Sequence, residues 1–305
     1  MRDSRLAVEV GKLKLEHPVM NASGILAVDS SGVAELVKAG VAAVVTKSFT
    51  MEEREGNPTP VIIPVEAGYV NSVGLANPGI NGIPEVVRAA KAYGKPVIVS
   101  IAAGNPEEAA KLAEVSVEAG ADAIEVNLSC PHAEGRGLEV GYDRKLSKMI
   151  VESIVAVVGD RPVWVKLGLL DRLPERVLEF VEAGASAVVL INTIRAMVID
   201  VETLRPVLGG IVGGLSGRAI HPVAVRAVYD VYCETGVDIV GVGGVYTWRD
   251  AVELIAAGAR AVQVGTALFD KGLGVVHEIV TSLREYLERK GFSNISEVVG
   301  IACKR

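Results

Sequence analysis

The sequence predicts an α/β protein built as a single (β/α)8 TIM barrel, and three observations carry that expectation. A helix end, a glycine and an apolar run recur in that order at Gly40, Gly120, Gly184 and Gly258, with runs at 42–45, 123–126, 187–190 and 261–264. Glycine suits the position after a helix where φ turns positive, and an unbroken Ala/Val-rich run reads as a strand buried on both faces. Each interval between these glycines has room for two strand–helix units, and further runs at 18–21, 96–101, 162–166 and 239–243 bring the strands to eight. No linker or shift in composition divides the chain, so residues 1–305 are expected to form one domain closed as a parallel barrel.

The remaining elements follow in order. Residues 6–15 alternate around Gly11 and predict a hairpin capping the bottom of the barrel. Residues 106–119 predict an amphipathic outer helix, and 275–290 a last helix that leaves 291–305 as a tail. The connections 49–84, 130–142 and 193–222 are longer than plain strand-to-helix loops. Above the C-terminal ends of barrel strands they read as walls of a pocket, with surface decoration as the alternative.

Composition narrows the function. A net charge of -6 and the absence of any Lys/Arg run disfavour nucleic acid as substrate. Cys130, Cys233 and Cys303 form no CxxC pair. Neither a disulfide framework nor a zinc or iron–sulfur site is legible in them, which fits a reducing cytoplasm. No segment approaches the roughly 20 apolar residues that span a bilayer. Gln263 is the only glutamine, consistent with a heat-adapted source.

Barrel chemistry sits at strand C-termini, and the residues expected there are Asn21, Ser23, Lys47, Ser48, Ser100, Asn127, Lys166, Asn192, Gly243, Gly244, Gly265 and Thr266. Two lysines and three asparagines converge with no carboxylate among them, a donor-rich set suited to a planar, amide-rich ligand with an anionic part. The glycines after strands seven and eight suit phosphate binding through backbone N–H groups, or simply tight turns. Lys166, flanked by apolar residues, is a Schiff-base lysine, a cation holding negative charge on a cofactor, or a snorkelling side chain. Cys130, on the string Asn127-Leu128-Ser129-Cys130-Pro131-His132, is a nucleophile, a base or an inert thiol.

Several ordered strings together resemble class 1 of the dihydroorotate dehydrogenase family: Asn21-Ala22-Ser23-Gly24, Thr46-Lys47-Ser48, residues 71–79, the Cys130 loop, Ile191-Asn192-Thr193, residues 213–217 and Gly243-Gly244. The resemblance spans nearly the whole chain. It implies one FMN per chain surrounded by Ala22, Ser23, Lys47, Ser48, Ser100, Asn127, Lys166, Ile191, Gly217, Gly243, Gly244, Gly265 and Thr266, with Lys166 at the N1/O2 edge of the ring. It implies substrate contacts from Lys47, Asn71, Ser72, Val73, Gly74, Leu75, Asn127, His132, Asn192 and Thr193. Cys130 would then remove the C5 proton of dihydroorotate while hydride passes from C6 to flavin N5, giving orotate for pyrimidine (UMP) synthesis. Ser100 and His132 depart from the family's pattern, where asparagine commonly stands.

The stretch 191–199 and the loop to Gly217 resemble the class 1B catalytic subunit. That likeness implies a homodimer joined to a second polypeptide carrying FAD and a 2Fe-2S cluster, a heterotetramer that passes electrons to NAD. A stand-alone homodimer with another soluble acceptor is the close rival. From other classes, a lyase using Lys166 as Schiff base and a non-catalytic barrel subunit remain open, and an RNA-modifying flavin barrel would need a basic surface that is absent.

Overall fold

The computed structural model describes residues 4–129 and 138–304. An antiparallel hairpin, β1 (Val8–Val10) and β2 (Leu13–Leu15), opens the fold. β3 (Val19–Asn21), α1 (Ser30–Ala39) and β4 (Val44–Val45) begin the barrel. The first long connection contributes β5 (Ile62–Val65) and β6 (Gly68–Asn71) before α2 (Ile83–Ala92). β7 (Val97–Ile101), α3 (Pro106–Ala119) and β8 (Ala123–Asn127) follow. After α4 (Leu138–Tyr142) and α5 (Arg144–Val158) come β9 (Val163–Leu167), α6 (Leu173–Glu182) and β10 (Ala187–Leu190). The third long connection carries β11 (Ile194–Ala196), β12 (Ile199–Asp200), β13 (Arg205–Pro206) and β14 (Gly213–Ser216). α7 (His221–Thr235), β15 (Ile239–Val242), α8 (Trp248–Ala257), β16 (Ala259–Val264), α9 (Thr266–Asp270) and α10 (Val275–Lys290) complete the chain.

The eight-stranded sheet runs β3-β16-β15-β10-β9-β8-β7-β4, all neighbours parallel, with helices outside. All five residues of β7, β8 and β9 are buried, as expected of strands covered on both faces. Helix ends follow the repeated phrase: Gly40 and Gly120 cap α1 and α3 at φ 84° and 101°, and each N–H returns to carbonyls of the last turn. Asn105 caps the start of α3 by accepting from Glu108 N–H at 2.9 Å, with Pro106 just inside it.

The seam between β4 and β3 is closed by a side chain. Asn21 Nδ2 donates to the Val45 carbonyl at 2.7 Å, and its Oδ1 accepts the Val45 N–H at 3.0 Å. Asn21 is wholly buried and is spent on closing the barrel, which corrects its expected place at the mouth. The hairpin lies at the bottom as predicted, where a Cβ on Gly11 would come within 2.6 Å of Trp164 Nε1.

The first and third long connections are not decoration. β5 and β6 from the first pair with β14 and β11 from the third in one antiparallel sheet, order β11-β14-β6-β5. Among the described residues no helix is long and apolar enough to cross a membrane.

The cysteine reading needs correction: Cys233 on α7 and Cys303 in the tail are disulfide-bonded across a sequence separation of 70. A link so remote in sequence leaves no spacing signal, and intracellular proteins of heat-adapted cells do form such bonds. The bond pins the tail onto the outer layer, where a Cβ at Gly300 would collide with the Tyr232 ring. A disulfide typically stabilises by about 2–4 kcal/mol. Cys303→Ser should lose that amount in urea unfolding under oxidising conditions with no effect under reducing ones; equal midpoints in both would show that the bond does not brace the fold.

Candidate active site

Strand ends and the loops above them enclose a cleft of about 290 Å³. Its lining includes Ala22 and Ser23 after β3, Lys47 and Ser48 after β4, Asn127 ending β8, Lys166 on β9, and Ile191, Asn192 and Thr193 after β10. Gly217, Gly243, Gly244, Gly265 and Thr266 line it too, as do Asn71, Val73, Gly74 and Leu75 from the segment that leaves β6. Residues expected to meet from nine separate places in the sequence are therefore brought to one cavity.

Parallel register sets the floor. Asn127 pairs with Lys166, Glu125 with Trp164, and Ser100 with Glu125. Lys166 is only 4% exposed, and its Nζ lies 3.6 Å from Glu125 Oε1 and 3.5 Å from Gln263 Oε1. Glu125 and Gln263 are wholly buried, and Gln263 Nε2 donates to Glu125 Oε2 at 2.7 Å. A carboxylate thus stands directly under a mouth that was expected to have none. A lone charge in an otherwise apolar strand, two residues before Asn127 and so on the same face, was the available signal. It also bears on Lys166 as a Schiff-base lysine: such an amine works uncharged, whereas Glu125 supplies the counter-charge of a buried ammonium.

One wall is an amide and hydroxyl cluster. Asn192 Nδ2 donates to Ser129 Oγ at 2.9 Å and to Asn127 Oδ1 at 3.3 Å, while Asn127 Nδ2 donates to Ser48 Oγ at 3.1 Å. Asn71 Nδ2 donates to the Gly214 carbonyl at 3.1 Å, fastening β6 to β14 within the upper sheet.

The far end is glycine. Gly244 has φ 66°, and a Cβ there would sit 2.7 Å from His221 Cβ and 2.8 Å from the Gly217 carbonyl oxygen. His221 holds this turn from behind, with Nδ1 2.8 Å from the Gly243 carbonyl and Nε2 3.2 Å from Glu253. Among the described residues no carbonyl accepts the Gly244 or Thr266 N–H, so both remain available to an anion.

Ser72 and Ser100 lie one layer back and do not line the cleft. Ser72 Oγ accepts from Asn57 Nδ2 at 2.8 Å, and Ser100 Oγ lies 2.9 Å from Ser48 Oγ and donates to Glu125 at 3.4 Å. Cys130 and His132 lie outside the described residues. Ile25, Ile62, Ser216, Ile220, Val242 and Phe269 line the cleft without having been foreseen. Among the described residues Lys47 and Lys166 are the only charged residues of the lining, and no group of three or more His, Cys, Asp or Glu could hold a metal.

Comparison with known proteins agrees with this architecture. The family model described as dihydroorotate dehydrogenase matches residues 5–287. A Thermoplasma volcanium relative named dihydroorotate dehydrogenase B (NAD(+)), catalytic subunit, is 46% identical over 304 residues, 99% of this chain and 100% of its own. A Pyrococcus furiosus relative of the same name is 42% identical over 300 residues, 98% of this chain and 99% of its own. An Aeropyrum pernix relative, provisionally named dihydroorotate dehydrogenase A (fumarate), is 45% identical over 298 residues, 97% of each chain.

The cleft's rim carries a titration that tests its packing. Tyr69 Oη donates to Asp270 Oδ1 at 2.9 Å, and the Tyr69 and Phe269 rings meet edge to face at 5.3 Å. Tyr246, behind Gly217, has its phenol pushed up to about 12, by burial first and by the Asp270 carboxylate second. In an alkaline absorbance titration Tyr246 should ionise at about 12. Asp270→Asn should lower that value without returning it to the ordinary 10.0, because burial remains. A wild-type phenol titrating at the ordinary value would contradict this rim.

Proposed function

The chain belongs to the dihydroorotate dehydrogenase family, and from that footing we propose that residues 1–305 act as one FMN-binding domain that oxidises dihydroorotate to orotate in pyrimidine synthesis. The observation that carries the reading is the cleft itself: available amides at Gly244 and Thr266 at one end, the Lys166 ammonium on the floor, and an asparagine wall. These fit FMN. The glycine turn admits no side chain and suits a phosphate, and Lys166 suits the ring edge that gains negative charge on reduction.

When bound, FMN supplies the acceptor for the two electrons and the proton that leave C6 of the substrate. The chain's residues do the rest. Gly243, Gly244, Gly265 and Thr266 anchor the phosphate, and Ala22, Ser23, Ser48 and Ile191 bound the ring's place. Lys47 meets the substrate carboxylate, while Asn71, Asn127, Asn192 and Thr193 take its amides. The resemblance assigns Cys130 the C5 proton and His132 a substrate contact.

For electron disposal, the relatives from Thermoplasma and Pyrococcus are named catalytic subunits of the NAD-linked enzyme. We infer the same role here, with a homodimer joined to an FAD and 2Fe-2S subunit in the cytoplasm. Ile199, Val201 and Leu204, exposed on and around the β12–β13 hairpin, suit a chain that works in an assembly. The Aeropyrum relative's name keeps fumarate as the second acceptor.

The deciding experiment mixes the FMN-loaded chain with dihydroorotate without oxygen and follows loss of flavin colour. Rapid bleaching is expected, with dye reduction but no NAD reduction until the partner is added. A colourless protein that takes up no FMN sinks the reading, and NAD or fumarate reduction by the chain alone replaces the partner model. Cys130→Ala should bleach about 10²- to 10⁴-fold more slowly with FMN retained, the usual worth of a general base; unchanged bleaching moves the base elsewhere. Gly244→Ala should lose FMN affinity at least tenfold by equilibrium dialysis, since its Cβ has no space.

A further inference from the structure

Glu125 is the only buried carboxylate among the described residues, and nothing in the proposed reaction uses it. Its surroundings are built. Gln263 Nε2 donates to Oε2 at 2.7 Å, Ser100 Oγ donates to Oε1 at 3.4 Å, and the Lys166 ammonium sits 3.6 Å from Oε1. Lys166 spends one long hydrogen bond on Gln263, at 3.5 Å, and still lines the cleft. The groups facing the pair are Ser100 on β7, Asn127 on β8 and Gln263 on β16, with Lys47 the other charge in the cleft lining.

A buried ammonium without a counter-charge is costly and tends to shed its proton, whereas a buried pair keeps both charges. The charge state of Lys166 decides how many protons accompany reduction of a flavin above it. Two electrons and one proton entering the ring leave one negative charge. A lysine that is already charged balances it, and no second proton is needed; a neutral lysine takes one from solvent. Building on the FMN reading above, we propose that Glu125 is a positioning residue that holds Lys166 as an ammonium beneath the flavin, so that reduction takes up one proton per two electrons.

Glu125→Gln keeps the size and can still accept from Gln263, but removes the charge. Lys166 should then lose its proton in the oxidised holoenzyme and regain it on reduction. Measured by dye-referenced reductive titration across a pH series, the midpoint potential of bound FMN should fall twice as steeply with pH as in wild type. The double variant Glu125→Gln/Lys166→Met has no lysine to protonate and should return to the wild-type steepness.

Wild-type steepness in Glu125→Gln overturns the proposal. If Glu125→Gln takes up no FMN but the double variant does, the unpaired lysine is the fault and the proposal stands. If neither takes up FMN, Glu125 serves the barrel core and the proposal falls. A wild-type chain that cannot be loaded with flavin sinks the FMN reading and this role with it, whereas bound flavin with unchanged steepness sinks the role alone.

Discussion

A positive charge sits at the top of a dry barrel, and much of the site follows from making it tolerable. Lys166 is itself only 4% exposed, and Val189, in register beside it on β10, is wholly buried. Desolvating an ammonium there costs several kcal/mol unless a partner is supplied. The partner is Glu125, which needs donors of its own, and Gln263 and Ser100 provide them. Four strands are therefore bound together by polar contacts at the level where the barrel opens. The lone glutamine of the chain is at the centre of that arrangement.

Above it, two segments far apart in sequence cooperate. β6 and β14 pair so that Asn71 lies against Gly214, and the Asn71 amide is fastened to that glycine's carbonyl. The walls of the cleft are thus ladder-bonded sheet, more rigid than free loops. Tyr69, Phe269, Asp270 and Tyr246 extend the same sheet into the rim through ring packing and shared contacts with one carboxylate.

What could be read from the residues was local. The helix–glycine–strand phrase states where chains turn, so 106–119 and 275–290 match α3 and α10 in full, and all eight strands fall within a residue or two of expectation. The cleft residues were legible because barrel sites occupy strand ends, whatever the chemistry. What escaped depends on relations between distant segments. The pairing of Glu125 with Lys166 needs the register of β8 on β9, the clasp of Asn21 needs the seam, and Cys233 meets Cys303 only after 70 residues have folded. The upper sheet joins the first and third long connections, whose pairing no single stretch announces.

Ser100 shows how one such relation propagates. A hydroxyl has a single proton to give. Where Ser100 gives it to Glu125, at 3.4 Å, the 2.9 Å contact with Ser48 is a donation from Ser48. With that proton spent, Ser48 can only accept from Ser23, 3.1 Å away, as it accepts from Asn127 Nδ2. The buried carboxylate therefore orients three hydroxyls in series, and Ser23, which lines the cleft, turns its lone pairs toward whatever lies there. An asparagine at position 100 would reach further with separate donor and acceptor atoms and would not transmit direction in this way. Ser23 as an acceptor and Lys166 as a donor both line the cleft, which then offers both polarities to a bound ligand. Glu125 fixes both of them without touching the ligand.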